Sequence, residues 1–376
     1  MKFAKMQQSS FVFLRGASHL FYDALPDHPV LSKAPLAWCC GDLHFENFGS
    51  YKADNRLAYF DINDFDEGAL APCTWDIVRL LTSIRCGADV LHTSADEALS
   101  VSHDCLNAYR EALRQGKSMW VERETAKGLI HDLLDGLQER NRADFLDQRT
   151  IKKKSLRQLK VDCVKALPAT EEERQKVMQF VNDFAAKQES PGFYVVRDVA
   201  RRIAGTGSLG VSRFVILVEG KGSPDGNYLL DLKESKPSAL LPALKRLNIA
   251  QPKWANEAQR AVAVQKRMQA VDHAFLVPVD FDGAAYILRG LQPSEDRVAI
   301  GDWGKKLPRL QEVVSTMGRL AAWDQIRSAG RDGSACADAL MCFSEGSGWV
   351  DSVMALADVM VKTTNQQWED FRAARL

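Results

Sequence analysis

The sequence predicts an α+β chain of two lobes, a large helical one and a smaller β-rich one, and three observations carry that expectation. A chain of 376 residues with 46% hydrophobic residues can bury a substantial core and is long for one compact unit. Beyond Asp76 the chain reads as helix for more than a hundred residues, until Ser190-Pro191-Gly192, where the pattern changes abruptly to strands. Between Trp38 and Glu67, seven carboxylates and one His are interleaved with strand-like alternation, so polar groups converge there. The expected division is 1–190 for the acidic stretch and the helical lobe, 191–292 for the β-rich lobe, and 293–376 for helices returning to the large lobe.

Taken in order, residues 9–25 read as an amphipathic helix stopped by Pro26, with Arg15-Gly16 inside it. Gly41 then opens a tight loop that holds Asp42, His44 and Asn47, and a hairpin turns at Ala53-Asp54-Asn55. The return strand Leu57-Ala58-Tyr59-Phe60 delivers Asp61, Asp64 and Asp66 beside the loop. Phosphoryl transfer needs a carboxylate to orient the attacking hydroxyl and hard oxygen ligands for Mg²⁺, and this set supplies both. Asp42 is the expected base, with His44 bracing the loop through a backbone hydrogen bond; Asn47 and Asp64 are the expected metal ligands, with Asp61, Asp66 and Glu67 in reserve. Asp76 caps or orients a helix whose apolar face is Ile77, Leu80, Leu81 and Ile84. Helices are expected over 95–115, 120–145 and 170–188, with Lys152-Lys153-Lys154 as a solvated helix start.

In the β-rich region, Gly205-Thr206-Gly207-Ser208-Leu209-Gly210 is followed by a strand, a Gly/Pro/Asp turn at 220–227, and the strand Tyr228 to Lys233. A helix over 254–271 contains Glu257, and strands follow at 275–279 and 284–289, then Gly290-Leu291-Gln292-Pro293. The helices after Pro293 present apolar faces for the large lobe.

Composition excludes other classes. Lys+Arg and Asp+Glu balance at 49 each, which leaves no overall field to draw in nucleic acid. No apolar run approaches the length of a membrane span, and the apolar block before Arg15 is too short for a secretory signal. Eight cysteines without C-x-x-C pairs read as reduced thiols of a cytoplasmic protein. The acceptor and the oligomeric state are not legible.

GDLHFEN resembles the catalytic loop H-G-D-x-H-x-x-N of the aminoglycoside phosphotransferase and choline kinase group, and more distantly that of protein kinases, with Cys40 where the first His would stand. DFDEGALAPCTWD is similar to the metal segment of the same group, with Asp64 and Asp76 twelve residues apart. The resemblance implies a two-lobed protein-kinase-like fold. In it Gly205, Thr206, Gly207, Ser208 and Gly210 would cover the phosphates of ATP, Lys233 would contact them, Glu257 would pair with Lys233, and Leu291 and Gln292 would form a hinge meeting the adenine. The motifs run in the order of a circular permutation, with the catalytic loop ahead of the small lobe.

Across nearly its whole length the chain also resembles a bacterial family catalogued as domain of unknown function 2252. The matching pieces are FVFLRGAS, GDLHFENFG, FDINDFDE, WDIVRL, RIAGTGSLG, DLKESKPS, AQRAVAVQKRMQ and LRGLQPSED. Where that family often carries A-x-A-H-A-R, LAAWDQIRS puts Asp324 at the His. The functional expectation is an ATP- and Mg-dependent phosphotransferase acting on a hydroxyl of a small molecule. The alternatives are nucleotidyl transfer on the same fold, a nucleotide-binding pseudokinase-type module, and a metal-dependent hydrolase.

Overall fold

A computed structural model describes residues 2–203, 210–292 and 296–374, and its architecture is α+β with several sheets. The helical core is built around Thr74–Cys86, which places Trp75, Ile77, Leu80, Leu81 and Ile84 in one buried cluster. Helices Ala95–Gln115 and Leu307–Arg327 lie along each other beside it, and Trp349–Ala373 packs across it. A reciprocal cap between Ser94 and Glu97 satisfies the first backbone donors of Ala95–Gln115. The acidic stretch enters this core as an antiparallel hairpin, Phe48–Lys52 against Ala58–Ile62, in the register Gly49 to Asp61.

The β-rich part centres on one antiparallel sheet of six strands. Its spatial order is Val277–Phe281, Ala284–Gly290, Tyr228–Glu234, Arg213–Val218, Val196–Arg202 and Ala166–Pro168. Successive side chains of a strand leave opposite faces, so alternation divides the sheet in two. One face sends Val199, Phe214, Ile216, Leu230, Leu232 and Leu288 against Val177 and Val181 of the helix Glu171–Ala185. The other face carries Arg202, Arg213, Asp231, Lys233 and Arg289, in the register Arg213 to Lys233 and Asp231 to Arg289.

Several sequence expectations are corrected. The helix expected over 9–25 is two helices, Ser10–Gly16 and Ser18–Asp23, broken at Ala17. Gly16 lets the Met6 side chain approach so closely that a Cβ would sit 2.5 Å from it. Residues 120–145 divide into a short strand, Val121–Glu122, and helices Gly128–Gln138 and Arg142–Asp147, because Asn141 starts a new helix by accepting a hydrogen bond from the Ala143 amide at 2.7 Å. The three lysines at 152–154 lie at the turn of a hairpin, Thr150–Lys153 with Leu156–Leu159, and not at a helix start. The boundary expected at 190 falls too late. Leu146, Leu159 and Ala166 pack with Val215 and Leu217, and Glu171–Ala185 covers the sheet, so residues 142–190 join the β-rich part.

Close helix packing gives a test of the core. A Cβ on Gly318 would lie 2.2 Å from the Cys105 carbonyl oxygen, so Gly318→Ala should cost about 1–3 kcal/mol of stability by overpacking. Urea unfolding measures this, and an unchanged midpoint would mean that the two helices separate without penalty.

Candidate active site

The loop after the strand Leu36–Cys39 is held from below by the helix Thr74–Cys86. Asp76, in its first turn, accepts hydrogen bonds from the Cys40 amide at 2.8 Å and the Gly41 amide at 3.0 Å. Gly41 has φ +81°, and a Cβ there would lie 2.3 Å from the Glu67 carbonyl, so only glycine fits the turn. One turn further along, buried Arg79 donates through Nε to Asp42 Oδ1 at 3.0 Å and through Nη2 to the Leu14 carbonyl at 3.0 Å, and its guanidinium stacks 4.8 Å from the Phe21 ring. A second Arg79 hydrogen bond reaches the same Asp42 oxygen. Burial pushes the Asp42 carboxyl up from its usual range, against the opposing pull of Arg79.

Asn47 closes the loop onto the segment that follows the hairpin. Its Nδ2 donates to the Asp42 carbonyl at 3.2 Å and the Asp64 carbonyl at 3.1 Å. Its Oδ1 accepts no hydrogen bond among the described residues, and Asn47 and Asp64 line the same cavity. Lys233, with a side chain only 2% exposed, projects from the sheet to Asp64 Oδ2 at 3.4 Å and pairs with Asp66 as well. Burial raises both carboxyls. For Asp64 the cations Lys233, Arg289 and Arg213 outweigh it and hold the group below the usual carboxylate range. Asp66, facing Asp64, stays above that range. Glu67, beside Asp42, is pushed up to about 7 by burial despite the hydrogen bond it accepts from the Ala239 amide.

Asp42, Asn47, Asp64, Asp66 and Glu67 line a cavity of about 540 Å³ between the loop and the cationic face of the sheet, and Lys233 meets it through Asp64 and Asp66. On that face Asp231 is fully buried and engaged by three guanidinium groups: Arg213 through Nε at 2.7 Å, Arg202 at 2.9 Å and Arg289 at 3.4 Å. Burial would raise Asp231, but the three arginines hold it well below its ordinary value. Arg202 is lowered to about 10 by burial and the neighbouring Arg213. One carboxylate cannot neutralise three cations, so this wall has positive charge to offer an anion.

Other site expectations need correction or restriction. His44 braces the loop through its main chain, the carbonyl accepting from the Asn47 amide at 2.7 Å, and not through its side chain. Its Nδ1 is buried without a partner, and its Nε2 lies 4.0 Å from Asp42 Oδ2. Burial, together with Arg15, Arg297 and Arg79, holds the imidazole well below its ordinary value, so it is neutral at pH 7. Glu257 does not meet Lys233. It stands in the first turn of Glu257–Met268 and accepts from Arg260 Nε at 2.6 Å. Arg260, which sequence reasoning passed over, binds the Gly68 carbonyl at 2.6 Å and the Asp66 carbonyl at 2.7 Å and so ties that helix to the acidic segment. Leu291 and Gln292 border the cavity, but the Leu291 amide donates to the Leu229 carbonyl at 2.9 Å and the Gln292 carbonyl accepts from Arg202 at 2.7 Å. Those two backbone groups are therefore already partnered. Gly205, Thr206, Gly207 and Ser208 lie outside the described residues; Gly210, with φ +101°, is described and exposed.

Asp61 is not at the cavity. Its buried carboxyl is hydrogen-bonded to Asp324 of the helix Leu307–Arg327, and Arg327 Nη1 donates to Asp324 Oδ1 at 2.7 Å. Burial pushes Asp61 up to about 6, and burial plus Asp61 raises Asp324 well above the usual range. Nothing in the local spacing shows this pair, because its partners are 263 residues apart.

Among the described residues no three His, Cys, Asp or Glu side chains surround a common point, and no helix is long and apolar enough to cross a membrane. A cation at Asp64 and Asn47 Oδ1 would therefore draw its remaining ligands from substrate oxygens and water, the habit of Mg²⁺. Fold and site together define an α+β protein with a carboxylate loop facing a cationic sheet across one cavity. The chain belongs to the family described as "Uncharacterized protein conserved in bacteria (DUF2252)", whose sequence model matches residues 1–374. No curated protein and no solved structure matches the chain.

The acid pair has a consequence for stability. Both carboxyls have folded values raised above those of an unfolded chain, so the folded state holds protons that the unfolded state loses, and stability falls as pH rises from about 4 through 6 and above. Asp324→Asn keeps an acceptor for Arg327 and an N–H donor for Asp61 without a proton to lose. The loss of stability between pH 5 and 8 should be shallower in the variant, by at most about 1.4 kcal/mol per pH unit. Parallel stability curves from urea titrations at pH 5, 6, 7 and 8 would rule the shared proton out.

Proposed function

We propose that the protein is an ATP- and Mg-dependent phosphotransferase of protein-kinase-like, circularly permuted fold, acting on a hydroxyl of a small molecule. The observation that carries this reading is the convergence of Asp42, Asn47 and Asp64 on one cavity, with Lys233, from a segment almost 170 residues further along, paired to Asp64. Three features support the permuted arrangement. The antiparallel sheet bearing Lys233 comes later in the chain than the loop, the helix Glu257–Met268 packs on that sheet, and the helices after 307 return to the core under the loop. A metal-only hydrolase would leave Lys233 and the arginine-rich wall without purpose.

In this reading Asp42 Oδ1 is fixed by Arg79, and Oδ2 is the atom left to accept the proton of the acceptor hydroxyl. The acceptor oxygen attacks the γ-phosphorus as the bond to the β-phosphate oxygen breaks; ADP leaves and the hydroxyl proton passes to Asp42. A carboxyl raised by burial is a better base than one in water, while Arg79 keeps it ionised and oriented. Lys233 and the arginine wall offset the charge of the triphosphate. Asp64 and Asn47 Oδ1 are the groups that would hold Mg²⁺, which would supply charge neutralisation for the transferred phosphoryl group.

Two measurements test this. Mg-ATP should raise the apparent melting temperature of the full chain by mass action, and Lys233→Met and Asp64→Ala should each weaken that shift. Asp42→Asn should retain the shift while lowering ADP release by roughly 10²- to 10⁴-fold. No Mg-dependent stabilisation by any nucleoside triphosphate, or a stabilisation indifferent to Lys233 and Asp64, would remove the basis of the reading.

A further inference from the structure

The acceptor side of the cavity has its own chemistry. Asp42 Oδ2 and His44 face a wall formed by the N-terminal helices and the segment at Arg297. Lys2, Lys5, Arg15 and Arg297 all line the cavity there, against the carboxylates Glu46 and Glu67, while Asp42 is already matched by Arg79. The two arginines meet at one carboxylate. Both direct a guanidinium to the same oxygen, Glu46 Oε2, Arg297 at 3.2 Å, which brings two cations together over one negative charge. The Arg15 side chain is only 11% exposed, its Nε is buried without a partner, and its guanidinium lies 5.4 Å from the Phe11 ring. His44, itself 6% exposed, presents an unpartnered buried Nδ1 at the same place.

Two guanidinium groups sharing one carboxylate oxygen keep unused N–H donors and an excess of positive charge, the arrangement that favours a multiply charged oxyanion. Choline and the aminoglycosides are cations, and this wall would repel them. A neutral His44 adds a hydrogen-bonding group without adding charge, which suits a site that must bind both an anion and a hydroxyl. We propose, resting on the phosphotransferase reading above, that the acceptor is an alcohol that already carries a phosphate monoester. Its phosphate sits at Arg15 and Arg297, with Lys2 and Lys5 at the rim, and this holds the free hydroxyl at Asp42 Oδ2.

The test uses the full chain saturated with Mg²⁺ and a non-hydrolysable ATP analogue, so that the nucleotide's own phosphate positions are filled. Four probes of similar size are titrated by calorimetry: glycerol 3-phosphate, glycerate, glycerol and choline. Glycerol 3-phosphate should bind best, and Arg297→Gln and Lys5→Gln should each weaken it, Arg297→Gln by roughly tenfold or more, with nucleotide affinity unchanged. Arg297 is 39% exposed, so its replacement spares the core. Tighter binding of glycerate, glycerol or choline, failure of all four probes to bind, or binding of the phosphate ester indifferent to both substitutions overturns the proposal while the nucleotide shift still stands. Loss of the nucleotide shift in the unsubstituted protein instead overturns the phosphotransferase reading beneath it.

Discussion

One turn of helix governs the site. Asp76 and Arg79, three residues apart on the buried helix Thr74–Cys86, hold the loop by its backbone and by its acidic side chain. Both charges are removed from water, and such groups are tolerated only where partners satisfy them; removing one partner of a buried ion pair typically costs about 3–5 kcal/mol. Burial pushes Asp76 up to about 6, yet two backbone N–H groups and the nearby Arg79 favour its ionised form. The loop is thus rigid because its anchors have no cheaper arrangement. In the proposed phosphoryl transfer, such anchoring would set the position of the base Asp42.

The sheet meets that loop through the opposite logic. Its apolar face obeys ordinary burial against Glu171–Ala185, and its other face, which the same alternation would let water reach, is instead closed over the cavity. Lys233 crosses the gap to Asp64 and Asp66, so sheet and loop are joined by ion pairs whose partners an incoming polyphosphate and cation could replace. Asp231 plays the balancing part behind it. By binding Arg202, Arg213 and Arg289 together, it lets three guanidinium groups share one wall without mutual repulsion driving them apart.

What the sequence made legible follows from distance along the chain. Asp42, Asn47 and Asp64 stand within 23 consecutive residues, so a tight loop and a hairpin were enough to bring them together. Lys233 could be placed because a strand ends there and its face follows from alternation. Glu257 was misplaced for the reverse reason: which neighbour a first-turn residue meets depends on how its helix packs, and here Arg260 lies one turn away. Residues 142–190 read as part of the helical lobe because a three-residue edge strand and a short hairpin carry almost no periodic signal. Arg15 and Arg79 were invisible as site residues because an arginine inside a helical pattern is ordinarily a surface residue, and only tertiary packing reveals that each is buried beside a carboxylate.

Asp61 shows how near the local reading came to a different answer. It lies three residues before Asp64 in the same acidic run, and the sequence holds it as a reserve ligand for the same metal. The hairpin decides the matter. Asp61 pairs with Gly49 inside the strand Ala58–Ile62, whose backbone alternation turns its carboxyl to the helix Leu307–Arg327, whereas Asp64 lies beyond the end of the strand, free to turn toward Lys233. Two carboxylates with the same sequence credentials thus have opposite electrostatic fates. Asp64, facing cations, stays ionised, as the proposed metal site requires; Asp61, facing another buried acid, is pushed toward its protonated form.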